Sequence, residues 1–85
     1  MPEQQIGRVT HYFGKIGVAA VELAAGPLSV GDTIRIKGHT SDFTQRVDSI
    51  QIEGQNVPQA TVGQSVGIKL QAHARGHDLV YKVTP

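Results

Sequence analysis

Two stretches of this chain, Thr33-Ile34-Arg35-Ile36-Lys37 and Val66-Gly67-Ile68-Lys69-Leu70, alternate apolar and non-apolar residues strictly. That pattern puts successive side chains on opposite faces of a strand and cannot serve one stripe of a helix. Ile34 and Ile36 then face a core, while Thr33, Arg35 and Lys37 face water. The remaining apolar segments are Ile6 to Phe13, Val18 to Ala24, Phe43 to Glu53 and Leu79 to Val83, each bounded by Gly, Pro or a polar turn. No segment carries a helix-length amphipathic pattern, so the chain reads as six strands.

Details of the pattern make further expectations. Gly14-Lys15-Ile16-Gly17 reads as a hairpin turn between the first two strands, with Val9 and Phe13 on one side against Thr10 and Tyr12 on the other. Pro27 stops Leu23 to Gly31 from continuing as a central strand. In Phe43 to Glu53 the period slips, because Phe43 and Val47 share one parity and Ile50 and Ile52 the other. A β-bulge near Asp48-Ser49 would produce this and bend the strand. Gly54 to Gln64 reads as a long loop whose Val57, Ala60 and Val62 plug one end of the core. In the last strand Leu79, Tyr81 and Val83 alternate with Val80 and Lys82, and Val18, Val57 and Val80 fit the inward pattern poorly.

A chain of 85 residues holds one core. It buries only ~60% of its unfolded surface, which favours a closed form that leaves no edge strand exposed. The expectation is an all-β fold, a small closed six-stranded antiparallel barrel forming one domain over 1–85. The absence of cysteine excludes disulfides, thiolate catalysis and the usual structural zinc sites, and fits a reducing cytoplasm. Met1 to Ile6 is polar, without the basic-then-apolar layout of a signal peptide, and no apolar run approaches ~20 residues. Nothing directs the chain to a membrane.

Eight basic and seven acidic residues give a formal charge of +1, too balanced for a protein that holds duplex nucleic acid mainly through phosphates. Any nucleic-acid contact is local. Arg35 and Lys37 project from the solvent face of one strand and Arg46 stands beside them if the next strand forms a hairpin with it. Together with His39, His73, Arg75 and His77 they could make a phosphate-binding strip, with Tyr12 or Tyr81 as stacking partners. The plainer reading is a solvated face balanced by Asp42, Asp48 and Asp78. The G-x-x-G of Gly14 to Gly17 has the form of a nucleic-acid clamp, but such clamps join two helices and this one joins two strands. His73 and His77, four apart, fall in a glycine-containing loop with Asp78 as the only nearby carboxylate, so no metal site is expected. No nucleophile, histidine and carboxylate set is defensible, so no catalytic residue, enzyme activity or cofactor is expected.

Three stretches resemble, in order, the second, β-barrel domain of elongation factor Tu and its relatives. They are Leu28-Ser29-Val30-Gly31-Asp32-Thr33-Ile34-Arg35-Ile36-Lys37-Gly38, Arg46-Val47-Asp48-Ser49-Ile50-Gln51, and Ala60-Thr61-Val62-Gly63-Gln64-Ser65-Val66-Gly67-Ile68-Lys69-Leu70. Arg75-Gly76 before Asp78-Leu79-Val80 resembles the same family's ending. The resemblance implies a translation-protein barrel that touches tRNA, ribosomal RNA or the ribosome. GTP binding is not implied, because the chain lacks G-x-x-x-x-G-K-[ST]. In that family an acidic residue near the terminal adenosine falls on Gln51 here, an arginine falls on Gly54, Val66 matches a pocket-lining position, and Lys69 replaces an apolar one. The chain is also similar to the C-terminal domains of the collagenase-like peptidase family, whose members act in RNA hydroxylation, which implies an accessory role beside a catalytic partner. The RNA-binding candidates are thus Arg35, Lys37, His39, Arg46, Gln51, Lys69, His73, Arg75 and His77. The expected function is a non-enzymatic, translation-factor-like module contacting RNA or the ribosome or assisting an RNA-modifying partner; the alternative is a protein-interaction domain docking to a catalytic partner or to itself.

Overall fold

The computed structural model describes residues 2–84; Met1 and Pro85, the ends of the expected 1–85 unit, lie outside them. The described residues form β1 (Glu3–Phe13), β2 (Val18–Leu23), β3 (Leu28–Ser29), β4 (Thr33–Lys37), β5 (Asp42–Arg46), β6 (Ile50–Ile52), β7 (Gln55–Val57), β8 (Gln59–Ala60), β9 (Ser65–Lys69) and β10 (Leu79–Val83), and no helix. An all-β domain is what the period-two patterning demands. The expected closed six-stranded barrel is corrected: eight strands form one antiparallel sheet in the order β5-β4-β10-β1-β2-β9-β6-β7, with β3-β8 as a separate two-stranded ribbon, and no ladder joins the edges β5 and β7.

The additional strands have local causes. The slip in Phe43 to Glu53 is a full break at Val47 to Ser49, so the segment becomes β5, paired with β4, and β6, paired with β9. Glu53 and Gly54 both take positive φ, 52° and 79°. Two consecutive residues in that region make the tight turn whose twist suits a hairpin, and they fold Gln55 to Val57 back onto β6. Glutamate is not a usual signal for that turn, so the segment reads as a loop in the sequence. The β3-β8 ribbon is two residues on each side, too short to show a period.

The sheet curls over a core of aliphatic side chains that includes Ile6, Val21, Ile34, Ile36, Ile50 and Ile68, all essentially inaccessible. The seam left by the missing ladder is bridged by a side chain. Gln45, on the inward parity of β5 and 5% exposed, donates from Nε2 to the Lys69 carbonyl (2.9 Å) and accepts the Gln71 N–H at Oε1 (2.7 Å). One carboxamide thus replaces a missing rung between β5 and the end of β9.

Two strands turn the other way from the sequence reading. β1 is bulged between Gln5 and Gly7 against β10, and between Val9 and His11 against β2. Each extra residue flips the parity, so Ile6 and Val9 point inward, Tyr12 packs against the core, and Phe13 lies outside, 47% exposed. In β10, Val80 is opposite Ile36 and Gly7 and is fully buried, while Leu79, Tyr81 and Val83 are only half-buried. Val80 is therefore core and not part of an exposed apolar patch; Val18 and Val57 are half-buried. Lys82 shares the parity of Val80 at the end of the sheet, where its Nζ reaches the Pro27 carbonyl (3.1 Å) and Asp32 (3.3 Å). Of the three plug residues, Ala60 is buried, Val57 half-buried and Val62 exposed.

Replacing Gln45 by alanine leaves the Lys69 carbonyl and the Gln71 N–H unpartnered at the seam. A loss of about 1–3 kcal/mol in denaturant unfolding is expected, with faster hydrogen exchange at Gln71 than at β1–β2 amides.

Candidate functional site

Arg35, the central cation of the strip on β4 and β5, is engaged by two carboxylates. Arg35 donates from Nε to Asp42 Oδ1 and from Nη2 to Asp42 Oδ2, both at 2.8 Å, and from Nη1 to both carboxylate oxygens of Glu3 at 3.2 Å. The register places these groups together: Arg35 is opposite Tyr81 on β10, and Glu3 lies on β1, the next strand. A two-pronged carboxylate fit occupies the guanidinium fork. Donating hydrogen bonds to Asp42 and then to Glu3 pushes the Arg35 pKa up, and accepting from Arg35 holds the Asp42 carboxyl below its ordinary value. Lys37 is exposed at the end of β4, His39 in the turn after it, and Arg46 at the end of β5, so the strip is broken at its centre.

The other candidates divide by location. Gln51 on β6 donates to Asn56 Oδ1 across the hairpin (3.2 Å), and Lys69 ends β9 opposite Val18 with its carbonyl held by Gln45. Neither joins the histidines and Arg75. His73 and Arg75, in contrast, line an open groove of about 490 Å³ with Thr10, His11, Tyr12, Gly14, Ala74 and Gly76. His73 meets Tyr12 edge to face, with centroids 4.6 Å apart at 62°, and His11 meets Phe13 at 4.4 Å and 65°. Sequence reasoning put Phe13 on the face of Val9 and did not single out His11, because the bulge in β1 leaves no mark on the pattern.

The groove wall is fixed from below by Asp78, 5% exposed. Its Oδ2 accepts the Arg75 N–H (3.0 Å), while the Asp78 N–H returns to the Arg75 carbonyl (3.2 Å), closing the turn 75–78. Gly38 packs directly against this carboxylate, and any side chain at 38 would collide with it. His77 takes the left-handed position of the turn, φ 75°, a region in which histidine is enriched among non-glycine residues. The His77 N–H donates to the Val9 carbonyl and the Val9 N–H to the Asp78 carbonyl, both at 2.7 Å, tying the loop to β1. Ala74 is buried beneath it. His77 is therefore a turn residue outside the groove lining that includes His73; among the described residues no three His, Cys, Asp or Glu side chains gather as metal ligands. The G-x-x-G segment is the hairpin turn between β1 and β2, closed by the Ile16 and Gly17 N–H groups donating to the Phe13 carbonyl.

No family model matches the chain. A protein named collagenase from Porphyromonas gingivalis is 37% identical over 78 residues, which is 91% of this chain and 22% of that protein. A protein of Methanocaldococcus jannaschii named as an uncharacterized protease is 41% identical over 78 residues, 91% of this chain and 19% of that protein. The chain thus spans about a fifth of the length of the curated relatives it matches. Among solved structures, the C-terminal domain of a Geobacillus thermoleovorans protein described as a U32 peptidase superposes with a TM-score of 0.88 at 24% identity, covering 95% of this chain and 93% of that one. Its selenomethionine form gives 0.85 over 91% and 96%. The fold is therefore shared with that domain. These findings bear out the resemblance to the C-terminal domains of collagenase-like peptidases, and they lend no support to the elongation factor Tu assignment or to a tRNA or ribosome partner. No helix among the described residues is long and apolar enough to cross a membrane.

Because Arg35 stabilises the charged form of Asp42, the Asp42 carboxyl titrates below the unfolded value, ~3.9. The stabilisation is present above that value and is lost as pH falls through the lower folded one. Carboxyl-detected NMR titration of the wild type and of Arg35→Gln should show Asp42 returning upward in the variant.

Proposed function

We propose that this chain is a non-catalytic accessory domain that docks to, or is carried by, the catalytic part of a collagenase-like peptidase-family protein. One observation carries the reading: nearly the whole chain aligns with about a fifth of proteins named collagenase or protease, and its structural match is a C-terminal domain that makes up nearly all of the solved chain. A unit that recurs beside a larger body and holds its own core does not need that body to fold. The side chains support a binding role better than a chemical one. Arg35 is saturated by carboxylates, Asp78 is committed to a turn, and the groove at His73 and Arg75 brings together rings and a cation without a carboxylate to act as base.

The translation-factor-like reading, a barrel that contacts RNA, has one feature in its favour. Tyr12, His73 and Arg75 combine a ring surface with a cation, the pairing by which single strands are held.

Recovery of the tagged chain from its own cells, with and without ribonuclease, separates the two. A peptidase-family protein that stays bound after ribonuclease is the expected result; tRNA or ribosomal particles that are lost on digestion would replace docking with RNA contact.

A further inference from the structure

The two most exposed large apolar side chains at this end of the sheet sit on and beside the β1–β2 turn: Phe13 is 47% and Ile16 62% exposed. Phe13 packs on His11, which lines the groove between this hairpin and the 73–76 loop, and Ile16 lies two residues beyond Gly14, another lining residue. Lys15 stands between them in sequence and Arg75 lines the groove, whereas no carboxylate lines it. Asp78, the acidic residue of that loop, is buried beneath it with Oδ2 taken by the Arg75 N–H. An exposed apolar tip beside an unbalanced cation is a surface that water serves poorly and that a complementary protein serves well.

Resting on the docking reading above, we propose that the tip of the β1–β2 hairpin and the groove behind it form the face on which this domain meets the catalytic part of a peptidase-family protein, and that the opposing surface is apolar with carboxylates at its rim. Phe13 and Ile16 would enter the apolar centre, and Arg75 and Lys15 would pair with the rim. Ile16 argues for protein over nucleic acid, because an aliphatic side chain gives a base nothing to stack on. The overall charge of +1 points the same way. The face is held in shape before any partner arrives: the Leu70 N–H donates to the Gly17 carbonyl (2.9 Å) at one side, and the Ser41 hydroxyl to the His73 carbonyl (3.4 Å) at the other. Such preorganisation lowers the ordering cost of association.

The test uses the full chain, tagged, as wild type and as Ile16→Asp, Arg75→Glu, Arg75→Lys and Val62→Asp. All three positions are exposed, and thermal melts confirm folding. The readout is the amount of peptidase-family protein recovered after ribonuclease treatment, measured by calibrated mass spectrometry. Recovery should fall at least tenfold for Ile16→Asp and Arg75→Glu, return largely with Arg75→Lys, and be unchanged with Val62→Asp, which lies outside the groove lining. Undiminished recovery by Ile16→Asp and Arg75→Glu overturns this face while leaving the docking reading intact. No peptidase-family protein recovered by the wild type overturns both. Ribonuclease-sensitive RNA, lost in Arg75→Glu, would instead make the groove a single-strand binding surface and overturn the proposal.

Discussion

The architecture depends on the bend at Val47. A sheet this small has enough aliphatic residues for one core only if its two ends come round to the same side, and the chain achieves this by running one segment from the β5 edge to β6, next to the other edge. β5 pairs with β4, the chain turns at Val47 to Ser49, and β6 pairs with β9. Val47 is fully buried at the turn, and its N–H and carbonyl are taken by Asp32 and Gly31, both at 2.8 Å. Burying a valine contributes ~1.5–3 kcal/mol, and both backbone polar groups of Val47 stay paired where the ladder stops.

Where the bend leaves a gap, polar side chains complete what backbone pairing does not. Gln45 joins β5 to the end of β9, Lys82 closes the other end onto Pro27 and Asp32, and Asp78 builds the turn beside the groove. These groups are buried or half-buried, and no fully buried side-chain N or O atom among the described residues lacks a partner. Each such bond is modest in net terms, about 1 kcal/mol, but its loss strands two groups away from water. The same commitment engages these side chains in holding the fold, whereas the groove between the β1–β2 turn and the 73–76 loop is lined by His11, Tyr12, His73 and Arg75.

This division also explains why the candidate residues separated as they did. Arg35, Lys37 and Arg46 were legible as exposed cations from the alternation of β4, but charge partners were not. Glu3 is 32 positions from Arg35 and reaches it only because β10 inserts between β4 and β1. His73 and Arg75 were legible as a basic loop, whereas the ring partners that give the loop a groove, His11 and Tyr12, come from a strand whose inward and outward faces are exchanged by a bulge. The order and spacing of the three stretches pointed to the elongation factor Tu barrel, which the comparisons do not support, whereas the similarity to peptidase C-terminal domains is borne out.

The sequence alone determined that this chain folds as strands, where β1, β2, β4, β9 and β10 lie, that Ile34, Ile36, Val66 and Ile68 face inward, and that the segment Phe43 to Glu53 bends near Asp48. All of these follow from local alternation and from Gly and Pro placement, which act within a few residues. Tertiary structure decided that the sheet has eight strands and open edges, that Val80 is core and Phe13 surface, that Arg35 is neutralised, and that His73 meets Tyr12. Each of those outcomes turns on register, and register is fixed by which distant strand supplies the facing row of side chains.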